Sequence, residues 1–143
     1  MDGADGRRRV AVYDTTLRDG CQGSGVSLTT EDKLKIARAL DRLGVAYIEG
    51  GWPGSNPKDI AFFERARREN WEHARIAAFG STRRAGVRAD EDPNLRLLLE
   101  AGTPTVTIVG KASPFQVQQV LNTTLDENLR MVADSVAYLK DRK

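Results

Sequence analysis

The chain has 143 residues, of which 40% are hydrophobic and 29% charged, the composition of an ordinary globular protein long enough to bury a core and short enough to suggest a single domain. Its 22 Lys and Arg face 20 Asp and Glu, a net charge of +2, which argues against nucleic acid or an anionic membrane as a partner. One cysteine cannot form an internal disulfide, and no stretch approaches the roughly 20 apolar residues of a membrane span, so a reducing, cytoplasmic setting is expected.

Residues 1–9 are small, polar and basic, ending in Arg7-Arg8-Arg9, and read as a flexible, solvated tail ahead of one domain over 10–143. Val10 to Tyr13 is a short β-prone run closed by turn residues, which reads as a buried strand. It hands over abruptly to Asp14-Thr15-Thr16-Leu17-Arg18-Asp19-Gly20-Cys21-Gln22. In βα-built sheets the C-terminal ends of the strands carry the ligand sites. Asp is a hard oxygen ligand for divalent cations, and Arg is a fork for carboxylates and carbonyls. The residues alone fit an Arg–Asp surface pair equally well.

Thr29 and Asp32 then make a T-x-x-D cap for a helix carrying Ile36, Leu40 and Leu43 and stopped by Gly44. Val45 to Ile48 is a second strand, ending in Glu49 and a loop hinged at Gly50-Gly51. Asn56-Pro57 opens a second helix with Ile60, Phe63 and Ala66 or Arg67 one turn apart, running to about Asn70. Ile76 to Phe79 is a third strand, followed by Gly80-Ser81-Thr82-Arg83-Arg84. Asp92-Pro93 starts a third helix with Leu95, Leu98 and Leu99. Thr105 to Val109 is a fourth strand, leading to Gly110-Lys111. Ser113-Pro114 caps a short helix to Leu121, and a Thr124/Glu127 capping box starts the last one, with Leu129, Val132, Val136 and Leu139 on its stripe. The unit recurs about every thirty residues, and strands alternating with helices imply a parallel sheet with right-handed crossovers.

The Asp14–Gln22 string resembles the signature of the metal-dependent DRE-TIM superfamily, which includes isopropylmalate, homocitrate and citramalate synthases and hydroxymethylglutaryl-CoA lyase. Tyr47-Ile48-Glu49-Gly50-Gly51-Trp52-Pro53-Gly54-Ser55-Asn56-Pro57-Lys58-Asp59 is most similar to the citramalate synthase branch. A (β/α)8 TIM barrel needs about 250 residues. The expected fold is therefore its N-terminal half, four parallel βα units. Two free sheet edges follow, with either a truncated gene product or an assembly, such as a homodimer or a complementing half, that completes the sheet.

The resemblance implies an acyltransferase that condenses acetyl-CoA with a 2-oxo acid such as pyruvate, giving citramalate in branched-chain (isoleucine and leucine) amino-acid biosynthesis. It implies a divalent cation (Mn, Mg or Zn) with Asp19 as one ligand. Arg18 is implied as the catalytic group that polarises the keto oxygen, Gln22 as orienting substrate, and Asp14 as holding the motif loop from behind. Glu49 is an acidic group near the reacting centre, as acid, base or orienter. The family's His-x-His ligand pair and second-half catalytic Glu are absent, so the metal site is incomplete and the chain alone is expected to be inactive. The alternatives are an isopropylmalate or homocitrate synthase, a lyase running the reverse cleavage, or a noncatalytic βα module. Cys21 reads as packing and His73 as part of a turn. Arg83-Arg84 fits CoA phosphates or solvent equally. Trp52 reads as a pocket wall or as plain packing.

Overall fold

The computed structural model describes residues 10–142; the expected tail at 1–9 lies outside them. Four strands, β1 (Tyr13–Asp14), β2 (Tyr47–Gly51), β3 (Arg75–Ser81) and β4 (Thr105–Val109), pair in parallel in the order β1-β2-β3-β4. Helices α1 (Thr30–Arg42), α2 (Pro57–Ala66) and α3 (Pro93–Glu100) follow the first three strands, and α4 (Pro114–Gln119) and α5 (Leu125–Lys140) follow the last. Each strand is thus joined to its neighbour by a helical crossover, the arrangement of the first half of a TIM barrel.

The helix starts follow from their capping residues. Thr29 and Asp32 form a complete capping box on α1, Asn56 accepts from Lys58 N–H on α2, and Asp92 accepts from Leu95 N–H on α3. Two expected caps differ. Ser113 makes no side-chain capping bond. On α5, Thr124 accepts from Glu127 N–H, but the Glu127 carboxylate is drawn away to Arg83, Arg130 and the Gly86 N–H, so only half of the box forms.

The core lies between the sheet and its helices, built on Leu17, Leu34, Ile48, Phe62, Phe63, Leu95 and Leu98, each essentially inaccessible to water. Gly50 and Gly51 belong to β2 itself, at a register shift opposite β3, where a hinge loop was expected. A Cβ on Gly50 would collide with the Phe62 ring, which is why the strand can approach α2 so closely.

Three expectations about burial are corrected. Val10 and Val12 are 81% and 56% exposed, and the paired part of β1 is only Tyr13–Asp14, because β1 is an edge with a strand on one side only. Leu43 and Ile60 are exposed; α1 turns Lys33, Leu34, Ala37 and Asp41 inward, and α2 turns Asp59, Phe62, Phe63 and Ala66 inward. The stripe on α5 is divided: Leu139 is buried with Met131, Asn128 and Ser135, whereas Leu129 and Val136 face outward.

Helix α2 also ends at Ala66 rather than near Asn70. The Trp71 indole N–H donates to the Ala66 carbonyl at 3.0 Å and closes the helix end. Asp41 of α1 then accepts the backbone N–H groups of Glu72, His73 and Ala74 at 2.7–3.0 Å and guides the chain into β3. Burial opposes the charge on Asp41, but these three bonds outweigh it and hold the carboxyl below its usual range.

Candidate active site

The motif loop is wound on a few bonds. Asp14 accepts from Thr16 N–H at 3.0 Å and from Thr16 Oγ1 at 3.1 Å, a self-closed turn at the end of β1. The Thr15 carbonyl then receives the N–H groups of Arg18, Asp19 and Gly20, and Leu17 plugs the core beneath. A short 3-10 turn, Gly20–Gln22, follows, in which the Cys21 thiol points back to the Thr16 carbonyl at 3.5 Å. Burial pushes that thiol's pKa up, which disfavours the nucleophilic thiolate.

This winding delivers Arg18 to the C-terminal end of the sheet. Its Nε donates to Glu49 Oε1 at 2.5 Å, its Nη1 donates to Asp19 Oδ1 at 3.0 Å, and its guanidinium carbon sits 4.0 Å from the centroid of the Phe79 ring. Glu49, in the middle of β2, is 2% exposed. Its other oxygen accepts from the Tyr13 hydroxyl at 2.6 Å, and Tyr13 also meets Thr107 Oγ1 at 2.7 Å. Burial, then the bond to Glu49, raises the pKa of the Tyr13 phenol far above its ordinary value, so it stays a neutral donor.

The Tyr13–Thr107 bond also reports the curvature of the sheet. Neighbouring strands lie about 4.8 Å apart, so β1 and β4 of a flat sheet would be roughly 14 Å apart, too far for these two side chains to bridge. The sheet is rolled, and Tyr13, Glu49, Phe79 and Thr107 share its concave face.

A second polar group holds the loop after β2. Lys33, buried on α1, donates to Asp59 Oδ1 at 2.5 Å and to the Gly50 carbonyl at 2.8 Å, and Asp59 Oδ2 accepts from Trp52 N–H at 2.9 Å. The Trp52 ring stands edge-on to Phe79 with centroids 5.5 Å apart, and its indole N–H donates to Asn94 Oδ1 at 3.0 Å. Between this loop and the motif loop lies a cleft of about 340 Å³, lined by Arg18, Gln22, Lys33, Trp52 and Lys58 among others.

Arg18, Asp19 and Glu49 therefore come together. Gln22 is exposed on the rim of the cleft, and Asp14 is turned into its own loop. Tyr13, Thr107, Phe79 and the Lys33–Asp59 pair escaped the sequence reading. The only signal for the pair was a charged residue on the apolar face of each helix; for the others there was none, since strand residues three units apart meet only when the sheet rolls.

Three further residues lie apart from the site. Arg83 is 5% exposed and spends its guanidinium on Glu127 (2.8 Å) and Asp134 (2.7 Å) of α5, which leaves it unable to reach a CoA phosphate. Arg84 is exposed. His73 lies at the start of β3, at the opposite end of the strand from the site.

Asp19 is the residue that suits a hard cation: its side chain is 62% exposed beside Arg18. Among the described residues no group of three or more His, Cys, Asp and Glu converges. Among them, no helix is long and apolar enough to cross a membrane.

The family model described as HMGL-like matches residues 9–143, and the chain belongs to that family. Within it, the chain is 57% identical over 130 residues to an (R)-citramalate synthase of Streptomyces coelicolor, covering 90% of this chain and 24% of the relative. It is 53% identical over 131 residues to the (R)-citramalate synthase of Geobacter sulfurreducens, covering 92% and 25% respectively. A 2-isopropylmalate synthase of Shouchella clausii is similar at 35% identity over 135 residues. The solved HMG-CoA lyase of Bacillus subtilis superposes with a TM-score of 0.71 at 23% identity, over 94% of this chain and 44% of that one, a likeness of fold. The chain spans about a quarter of the length of the curated relatives it matches.

Proposed function

We propose that this chain carries the first half of the active site of a transferase that condenses acetyl-CoA with a 2-oxo acid, with pyruvate going to citramalate, in the biosynthesis of branched-chain amino acids. The reading is supported by identities of 49–57% to five (R)-citramalate synthases, against 31–35% to the 2-isopropylmalate synthases. The observation that carries it is the Arg18 guanidinium, pinned by Glu49 and stacked on Phe79 at the mouth of the rolled sheet.

In the overall reaction the acetyl methyl loses a proton, the resulting carbanion attacks the keto carbon, and the keto oxygen becomes an alkoxide that takes up a proton. Water then cleaves the thioester and releases CoA. A divalent cation, when bound, supplies Lewis acidity at the keto and carboxylate oxygens. Arg18 donates hydrogen bonds to the keto oxygen as it gains charge, a stabilisation larger in the transition state than in the ground state. Glu49, bonded through both oxygens, orients Arg18. Asp19 contributes one oxygen ligand, Gln22 orients the 2-oxo acid from the rim, and Asp14 keeps the loop wound. The base that deprotonates the acetyl group and the remaining metal ligands come from the second half of the barrel, in the same cytoplasmic compartment as acetyl-CoA.

The test is a chimera in which residues 10–143 replace the corresponding segment of the Streptomyces coelicolor relative. CoA release with pyruvate and acetyl-CoA is expected from the chimera and not from this chain alone. No release above that of its Arg18→Ala variant overturns the reading.

A further inference from the structure

Tyr13, on β1, hydrogen-bonds side chains of both β2 and β4 on the concave face. Its hydroxyl has a single proton, and the 2.6 Å contact with a carboxylate oxygen of Glu49 takes it. The 2.7 Å contact with Thr107 must then run the other way, with the threonine hydroxyl donating to the phenol oxygen. The direction of the chain is therefore determined: Thr107 Oγ1 to Tyr13 Oη to Glu49 Oε2, with Arg18 Nε donating to Glu49 Oε1 on the other side.

A carboxylate gripped at one oxygen can still rotate about its Cγ–Cδ bond and swing its partner. Glu49 is gripped at both and is itself 2% exposed, and a hydrogen bond to a group so removed from water is stronger than one in water. Arg18 in turn has its Nε held by Glu49, its Nη1 by Asp19 and its face by Phe79, so that its orientation is set largely by Glu49 and the ring.

We propose that Tyr13, relayed from Thr107, is a positioning residue that locks the Glu49 carboxylate and through it sets the orientation of the Arg18 guanidinium toward the 2-oxo acid. The inference rests on the reading that Arg18 receives that substrate, but the lock itself can be measured without turnover. It also assigns β4 a part in the site: Thr107 ties the far strand to the motif loop, so that rolling the sheet and aiming the arginine are one event.

The experiment is 15N-edited NMR of the full chain, following exchange of the Arg18 Nε–H with water, with the Arg38 Nε–H as internal standard. Arg38 is bonded to Glu69 on the outer helices at 2.8 Å and has no contact with the relay. In Tyr13→Phe the Arg18 signal is expected to exchange roughly tenfold faster or more, the size of losing one hydrogen bond to a charged group, while Arg38 is unchanged. Thr107→Val should give a smaller change of the same sign and serves if Tyr13→Phe fails to fold. Equal acceleration of both arginines would mean that Tyr13 only supports the fold, and an unchanged Arg18 would mean that Phe79 and Glu49 suffice; either overturns the proposal. A chimera that ignores pyruvate while Arg18 still answers to Tyr13 would sink the substrate reading and leave the lock standing.

Discussion

The Arg18 guanidinium combines demands that few side chains meet together: an Nε donor for Glu49, an Nη1 donor for Asp19, a flat face for Phe79, and further N–H groups for a ligand. Lysine has a point charge on a flexible stem and satisfies only the charge. In the active chimera, Arg18→Lys should therefore lower kcat/KM for pyruvate by about 10²–10³-fold, the cost of losing one preorganised donor at a developing oxyanion, in steady-state assays of CoA release. Retention of wild-type efficiency would show that charge alone is used.

Glu127 gives a pH prediction at the same scale. The Arg83 guanidinium first, then the Gly86 N–H and Arg130, pull its carboxyl pKa down to about 2. A group whose pKa is lower in the folded than in the unfolded chain contributes stability that is complete above its unfolded pKa, near 4.3, and is lost as pH falls toward the folded value. Urea midpoints of the wild type and Glu127→Gln should thus differ most at pH 6 and converge as the pH is lowered from about 5 toward 2. A gap independent of pH would show that the Arg83 contact does not depend on the charge.

Among the elements, β2 and the loop after it depend on a charge pair taken out of water. Lys33 and Asp59, 5% and 6% exposed, join α1 to α2 and hold the Gly50 carbonyl and the Trp52 N–H. Removing one member strands the other. Lys33→Met should cost about 3–5 kcal/mol in chemical unfolding, and should loosen Trp52 enough to shift its fluorescence. The hydrophobic stripes that announce α1 and α2 in the sequence say nothing of this pair, because hydrophobic periodicity treats an inward charge as noise.

For the whole molecule, the striking asymmetry is between a sheet closed on one side by helices and a concave face, two strand edges and a helix stripe left open. Val10, Val12, Phe115, Leu125, Leu129 and Val136 are each more than two-fifths exposed. Apolar surface of that kind beside unpaired strand edges favours association. Sedimentation velocity of the chain alone should find concentration-dependent dimers or larger species, and Leu129→Glu should shift them toward monomer. A monodisperse monomer at all concentrations would show that the open face is tolerated.

Much of this architecture was legible from local pattern. The strand–loop–helix period of about thirty residues, the capping residues Thr29, Asn56 and Asp92, and the motif at the end of β1 are each set by neighbours within a few positions, so the chain's own order carries them. The tertiary structure alone decided which way each helix faced, that Glu49 is bonded at both oxygens, that Arg83 is spent on α5, and that Tyr13 meets Thr107 across 94 positions. Those facts depend on how far the sheet rolls, and the roll is a sum of small twists over all four strands that no single stretch of sequence encodes.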